Sequence, residues 1–146
     1  MILITLGDPL SINVEALATI LHPSSEERKS LAQWPIILIG SLWHWQEQLE
    51  LLGTTISSQI IESSEQEEPP LGLWFYPIEA PQIPTTELSS QQRGSVAYKS
   101  LAGVKNFINK KTTTVILTAP INKFIAQKGG LRFNGQTEFF ENIANK

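Results

Sequence analysis

The 146-residue sequence contains no cysteine. Disulfides, thiolate nucleophiles and cysteine-bound zinc are therefore excluded, and any chemistry must use oxygen or nitrogen. Histidine is nearly absent too: there are 2. His22 sits beside a proline and His44 between Trp43 and Trp45, neither with a partner at ligand spacing, so both are expected to be non-ligands. No run approaches the roughly 20 apolar residues that a bilayer crossing needs. The amino terminus, Met1-Ile-Leu-Ile-Thr-Leu6, lacks the basic region and cleavage site of a secretory signal. A cytoplasmic location with no membrane partner is expected. Basic charge is also scarce, with 11 Lys and Arg against 14 Asp and Glu, so nucleic acid finds no electrostatic footprint. There is no internal repeat, low-complexity tract, Gly-rich phosphate loop or dinucleotide fingerprint, which leaves a flavodoxin-like nucleotide binder unsupported.

What is present suits one folded domain: 41% of residues are hydrophobic and 17% charged, enough for a single core. Ile2 to Leu6 reads as a buried strand ending in the turn Gly7-Asp8-Pro9. A short helix is predicted from Glu15 to Leu21, stopped by Pro23 and followed by the polar stretch Ser24 to Lys29. Pro35 to Gly40 is continuously apolar, as a strand covered on both faces should be, and Ser41 can cap a helix through about Leu52. Ser57 to Ile61 and Leu73 to Tyr76 are further strand candidates. Between them Glu62 to Pro70, with four glutamates, reads as a surface loop, and the proline-containing stretch Pro77 to Ser90 as an irregular connection.

From Gly94 the residues Ala97, Leu101, Val104 and Ile108 form one helical stripe, with Lys99, Asn106 and Lys110 off it. Thr112 to Thr118 is a β-branched strand, Asn122 to Lys128 a short helix closed by Gly129-Gly130, and a last helix starts near Gln136. Alternating strands and helices imply a three-layer α/β/α domain with a mostly parallel sheet, whose ligands bind beyond the carboxyl ends of the strands. Trp34, Trp43 and Trp45 cluster around the second strand and are read as core or interface packing.

Two segments occupy the expected ligand position. One is Gly7-Asp8-Pro9. The other is Thr118-Ala-Pro-Ile-Asn-Lys123, closely followed by Gly135-Gln-Thr-Glu-Phe-Phe140. Thr118 and Asn122 offer neutral hydrogen bonds, Lys123 a mobile cation, and Gln136 and Thr137 further donors at a helix amino terminus, a set suited to a phosphorylated small molecule. Each has an ordinary alternative. Gly7-Asp8-Pro9 can be a simple turn with Asp8 bonding its own backbone, Lys123 a solvated lysine, and Thr137 and Glu138 residues favoured by the helix dipole.

Taken together, the order and spacing from Gly94 to Phe140 resemble the 4-hydroxythreonine-4-phosphate dehydrogenase family of pyridoxal phosphate biosynthesis. The resemblance is most specific at Thr118-Ala-Pro-Ile-Asn-Lys123 and Thr137-Glu-Phe-Phe140. Ile4-Thr-Leu-Gly-Asp-Pro9 is similar to the family's opening motif, while the stretch from about Pro23 to Gln92 matches faintly. The resemblance implies a fold like isocitrate and isopropylmalate dehydrogenases. It also implies NAD- and divalent-metal-dependent oxidation of 4-hydroxythreonine 4-phosphate, the keto acid then losing carbon dioxide. Substrate contacts carry over to Gln136 and Thr137, with Lys123 beside them and Thr118, Asn122 and Asp8 as weaker candidates.

Three departures from the family accompany the resemblance. Position 136 is Gln where the family has His, so it cannot be protonated near neutral pH. After Gly7-Asp8-Pro9 the sequence reads Leu10-Ser11-Ile12-Asn13-Val14-Glu15 where the family has glycines and a proline, which makes positive φ costly at Ser11 and only moderately tolerated at Asn13. The family's metal-binding histidines come from a later segment than any here, so residues 1–146 are expected to form one domain matching the amino-terminal part of the fold, with a truncated sheet and the metal-binding remainder absent. Two readings follow. The chain is either an incomplete dehydrogenase, completed as a homodimer or by a downstream polypeptide, or a non-catalytic relic or phosphate-binding interaction module. A sheet stopped midway would expose an edge and an apolar face, favouring dimerisation.

Overall fold

A computed structural model describes residues 1–62, 69–108 and 113–144. Five strands, β1 (Ile2–Thr5), β2 (Pro35–Gly40), β3 (Gln59–Ile60), β4 (Gly72–Pro77) and β5 (Val115–Thr118), form one sheet in the order β3-β4-β2-β1-β5. All four pairings are parallel. The central β2 is buried at every position, which is why its sequence is continuously apolar rather than alternating. Among the described residues β5 lies at an edge beside β1, Ile2 opposite Val115 and Thr5 opposite Thr118.

Helices cover both faces. On one face, α1 (Asn13–Leu21) and α3 (Leu42–Leu51) bring Val14, Leu17, Leu21, Trp45 and Leu49 onto Ile4, Leu38 and Phe75. On the other, Leu3, Ile37 and Ile39 meet Val104, Phe107, Ile116 and Phe140. A third cluster joins Leu101 of α4 (Ser90–Gly103), Ala126 of α5 (Lys123–Lys128) and Phe139 of α6 (Gln136–Ala144), together with Leu131. The three-layer α/β/α arrangement is thus observed.

Several boundaries differ from expectation, each for a local reason. α1 begins at Asn13 rather than Glu15. Its start needs no positive φ: among the described residues none other than glycine has one, and the tolerance weighed for Ser11 and Asn13 is not called on. Within the polar stretch after His22 lies α2 (Glu26–Leu31), capped by the Ser25 side chain on Arg28 N; only its last residue, Leu31, packs partly buried against the core, so no apolar stripe marked it. The third strand is two residues, not five.

The connection from Pro77 holds a 3-10 turn at Thr85–Glu87 and gives way to α4 at Ser90, four residues before Gly94. A capping box between Ser89 and Gln92 starts that helix. The helix ends at Gly103 and tightens into a 3-10 turn at Val104–Asn106, so Ile108 leaves the stripe and is 40% exposed. β5 starts at Val115; Lys110 and Thr112 lie outside the described residues, as does most of the loop expected from Glu62 to Pro70. Of the tryptophans read as packing residues, Trp45 is buried in the core and Trp43 meets the His44 ring edge-on, but Trp34 is largely exposed.

α4 and α5 pack unusually closely. A Cβ built on Gly94 would lie 1.9 Å from the Ile125 carbonyl oxygen, and one on Gly129 would lie 1.9 Å from the Gly94 carbonyl carbon. Only glycine allows two backbones to approach this way, so these two residues set where α5, and with it the segment that follows β5, is held.

Candidate functional site

The carboxyl ends of β1 and β5 lie side by side, and the loops leaving them are laced together by buried polar groups. Gly7 has φ +68°, and a Cβ there would come within 2.9 Å of the Pro120 carbonyl oxygen. Asn13, buried at the start of α1, donates through Nδ2 to the carbonyls of Leu6 (3.0 Å) and Pro120 (3.1 Å). From the opposite face, the Ser100 hydroxyl accepts from Leu6 N (3.0 Å) and donates to the Ile39 carbonyl. Asn13 thereby satisfies carbonyls at the two loop starts, while Ser100 reinforces the bond that Leu6 N already makes to the Ile39 carbonyl at 2.9 Å.

Asp8 is 4% exposed. Arg93 holds it in a two-pronged ion pair, Nε to Oδ1 at 3.0 Å and Nη2 to Oδ2 at 2.6 Å, while Oδ1 also accepts from Leu10 N at 3.0 Å. The carboxylate therefore serves its own turn and anchors α4. Arg93 was not singled out from the sequence, and no local pattern links two residues 85 positions apart. The physical clue was general: a buried carboxylate needs a cation.

At the end of β5, Thr118 Oγ1 donates to Gln136 Oε1 at 2.7 Å and Gln136 Nε2 donates to the Ala119 carbonyl at 3.1 Å. The glutamine thus ties the first turn of α6 to the strand. One Nε2 proton and one lone pair on Oε1 remain for a ligand. Thr118, Gln136 and Thr137 line a cleft of about 400 Å³ whose other walls, Ile108, Ile116, Phe140, Ile143 and Ala144, are apolar. Thr137 is exposed, and Glu138 accepts from Asn134 N at 2.8 Å.

Lys123 and Asn122 are not among the cleft's lining residues. Both are exposed, with Asn122 capping α5 through a bond from Ile125 N at 3.1 Å. Of the six candidate residues, then, three share the cleft, two stand at the start of α5, and Asp8 belongs to the β1 loop.

Both histidines are engaged elsewhere. His22 Nδ1 meets Ser24 Oγ at 2.7 Å on the surface. His44 is buried, accepting at Nδ1 from the Ser41 hydroxyl (2.7 Å) and donating from Nε2 to the Ile83 carbonyl (3.2 Å). Burial pushes its pKa below the usual 6.5, partly countered by the bond to Ile83 and by the nearby Glu47 carboxylate. Glu47 in turn accepts from Thr85 N at 3.1 Å and from the Thr85 hydroxyl. Among the described residues no group of three or more His, Cys, Asp or Glu side chains comes together in a way that could hold a metal ion.

Fold and site together define a parallel α/β domain with a part-polar cleft at the carboxyl end of an edge strand, the position at which such sheets bind small ligands. Comparison with known proteins makes the class specific. The family model for the pyridoxal phosphate biosynthetic protein PdxA matches residues 32–146, and the chain belongs to that family. A 4-hydroxythreonine-4-phosphate dehydrogenase from Aquifex aeolicus is 33% identical over 137 residues, covering 93% of this chain and 40% of that protein. Crystal structures of 4-hydroxythreonine-4-phosphate dehydrogenases share the fold over 99% of the chain. The one from Burkholderia phymatum has a TM-score of 0.76 at 22% identity, with 43% of its length covered. The one from Klebsiella pneumoniae has a TM-score of 0.74 at 24% identity, with 44% covered. The chain thus spans well under half the length of these relatives.

Proposed function

We propose that the chain supplies one wall of a 4-hydroxythreonine-4-phosphate dehydrogenase site, formed by Gln136, Thr137 and Thr118 with Lys123 and Asn122 at its approach. In this reading residues 1–146 are a single domain matching the amino-terminal part of a fold of the isocitrate and isopropylmalate dehydrogenase type. The observation that carries it is the junction of Thr118 and Gln136 across the cleft mouth. It brings together the two segments with the strongest family resemblance. The phosphorylated substrate would meet neutral donors at Gln136 and Thr137 and draw its countercharge from Lys123, an exposed and mobile cation.

Asp8 drops to a supporting role, because Arg93 already neutralises it. The family's reaction uses NAD and a divalent metal that polarises the hydroxyl being oxidised. The described donor set does not fit a metal, so no step through it is assigned to these residues. In this reading the metal-binding part lies outside residues 1–146.

Binding of 4-hydroxythreonine 4-phosphate by the chain, followed by amide NMR shifts, tests the reading. Shifts should centre on Thr118, Gln136 and Thr137. Thr137→Val should weaken binding about tenfold, the worth of one hydrogen bond of about 1.4 kcal/mol. Saturable shifts elsewhere, or none, refute it.

A second reading, a non-catalytic phosphate-binding or interaction module of the same fold, draws on a specific observation. Gln136 is spent mainly on the Thr118 and Ala119 contacts, and Asp8 on Arg93. Adding the remaining part of a family relative separates the two: restored, metal-dependent NAD reduction favours the dehydrogenase, and binding without turnover favours the module.

A further inference from the structure

Asn134 is the only asparagine in the sequence that precedes a glycine. The main-chain nitrogen that follows an asparagine can attack the side-chain Cγ, closing a succinimide ring as the amide nitrogen leaves as ammonia. Water then opens the ring at either carbonyl. One product is aspartate. The other is isoaspartate, in which the main chain runs through the former side chain and the former main-chain carbonyl becomes a carboxylate. The net change is hydrolysis: the Cγ–Nδ2 bond breaks, water supplies the oxygen and ammonia departs. Glycine as the second residue hinders the attack least, because it carries no Cβ.

The fold leaves this pair unguarded. Residues 133–135 form a bend between Leu131, buried in the third cluster, and the start of α6, and Asn134 is exposed. Among the described residues neither the Asn134 side-chain amide nor the Gly135 N–H has a hydrogen-bond partner. A Cβ at Gly135 would meet nothing within 4 Å, so the ring has room. Phe139 N donates to the Gly135 carbonyl at 3.3 Å, which makes Gly135 the cap of α6 and places its nitrogen at the positive end of the helix dipole. That potential favours the anionic nitrogen from which the attack proceeds. Other asparagines are held. Asn13 Nδ2 donates to two carbonyls, Asn122 Oδ1 caps α5, and Asn106 Nδ2 donates to the Tyr76 hydroxyl at 2.9 Å.

The main chain on either side of the pair is anchored. Upstream, the Phe133 ring meets Phe139 edge-on with centroids 5.7 Å apart. Downstream, Gln136 is tied to Thr118 and to the Ala119 carbonyl. Isoaspartate inserts a further backbone atom between these anchors. It also sets a new carboxylate near that of Glu138, which accepts from Asn134 N at 2.8 Å, and like charges oppose that contact. The half-buried Gln136 bonds, which water can replace, give way before the ring packing around the almost fully buried Phe139.

We propose that Asn134 is a spontaneous deamidation site in the folded chain, and that its isoaspartate form releases Gln136 from Thr118 and loosens the polar end of the cleft. The reaction is intramolecular, so no enzyme has to reach the loop. The inference does not depend on the dehydrogenase reading, since it rests on the bend and its two anchors alone.

Incubation of the full chain at mildly alkaline pH, followed by tandem mass spectrometry of tryptic peptides and isoaspartate methyltransferase labelling, tests it. Conversion should begin at Asn134. It should run within about threefold of the rate in the urea-unfolded chain, because a loop whose amide is already unbonded needs no local opening first. Gly135→Ala should keep the far-ultraviolet circular dichroism of the fold and slow conversion at least about tenfold, by crowding the approach of nitrogen to Cγ. In amide NMR the isoaspartate form should displace the Thr118, Ala119 and Gln136 resonances. Freshly prepared Asn134→Asp, which adds the charge without the extra backbone atom, should leave Thr118 in place. Slower conversion in the folded chain than this, earlier conversion at another asparagine, indifference to Gly135→Ala, or an isoaspartate form that keeps the Thr118 and Gln136 resonances would overturn the proposal.

Discussion

Replacing Gly94 by alanine sets two effects of opposite sign against each other. Gly94 lies inside α4, and an exposed helical Gly→Ala change ordinarily stabilises by about 1 kcal/mol because the unfolded chain loses freedom. Here the added methyl would lie 1.9 Å from the Ile125 carbonyl oxygen and 2.8 Å from its carbon. Both are backbone atoms and cannot swing aside, so α5 must move as a unit. That movement opens the cluster in which Ala126, Leu131 and Phe139 are almost fully buried against Leu101. Overpacking costs about 1 to 3 kcal/mol and partial loss of that cluster a similar amount. After subtracting the propensity gain, a net loss of about 1 to 5 kcal/mol is expected. For a chain of this size the melting temperature should fall by roughly 2 to 20 °C. Urea unfolding followed by circular dichroism measures the loss, and limited trypsin digestion at Lys123 and Lys128 should quicken. An unchanged or higher midpoint would refute the close backbone contact as the determinant of how α5 docks.

Other substitutions isolate other parts of the structure. Thr118→Val removes the hydroxyl that donates to Gln136 and should cost about 1 kcal/mol in urea unfolding, with NMR shifts concentrated at the start of α6. Arg93→Met leaves Asp8 buried without its partner and should cost about 3 kcal/mol, most of it recovered by Asp8→Asn in the same chain, because an uncompensated buried charge dominates the loss. His44 has a folded pKa below its unfolded value near 6.5. Its contribution is therefore complete above pH 6.5 and is lost as the pH falls through the lower folded value, because the unfolded chain takes up the proton first. Urea midpoints from pH 7.5 to 5 should show a steeper decline for the wild type than for His44→Gln, and parallel curves would contradict the burial argument.

The strands were legible because a parallel sheet covered on both faces forces continuous apolar runs, as at Pro35–Gly40. α2 was not, since of its six residues only Leu31 packs against the core and no stripe results. The start of α4 was written in the sequence as Ser89 followed three positions later by Gln92, but the prolines just before it drew the reading toward an irregular connection. At the candidate site, Thr118, Gln136 and Thr137 could be named because they lie in short motifs whose order resembles the family's. The ion pair of Asp8 with Arg93 and the double donation by Asn13 could not. Both depend on how the β1 loop folds against α4 and β5, contacts between distant residues that leave no local pattern.

The central claim is that these residues form a substrate-contacting wall that does not complete a reaction unaided. Formation of reduced nicotinamide from NAD, 4-hydroxythreonine 4-phosphate and a divalent metal tests it most directly. The chain is assayed alone and with the part of the Aquifex aeolicus relative that it does not span. The account predicts no turnover alone and metal-dependent turnover on addition, diminished by Thr137→Val. Metal-dependent turnover by the chain alone, or turnover with the added part that is indifferent to Thr137→Val, would contradict it.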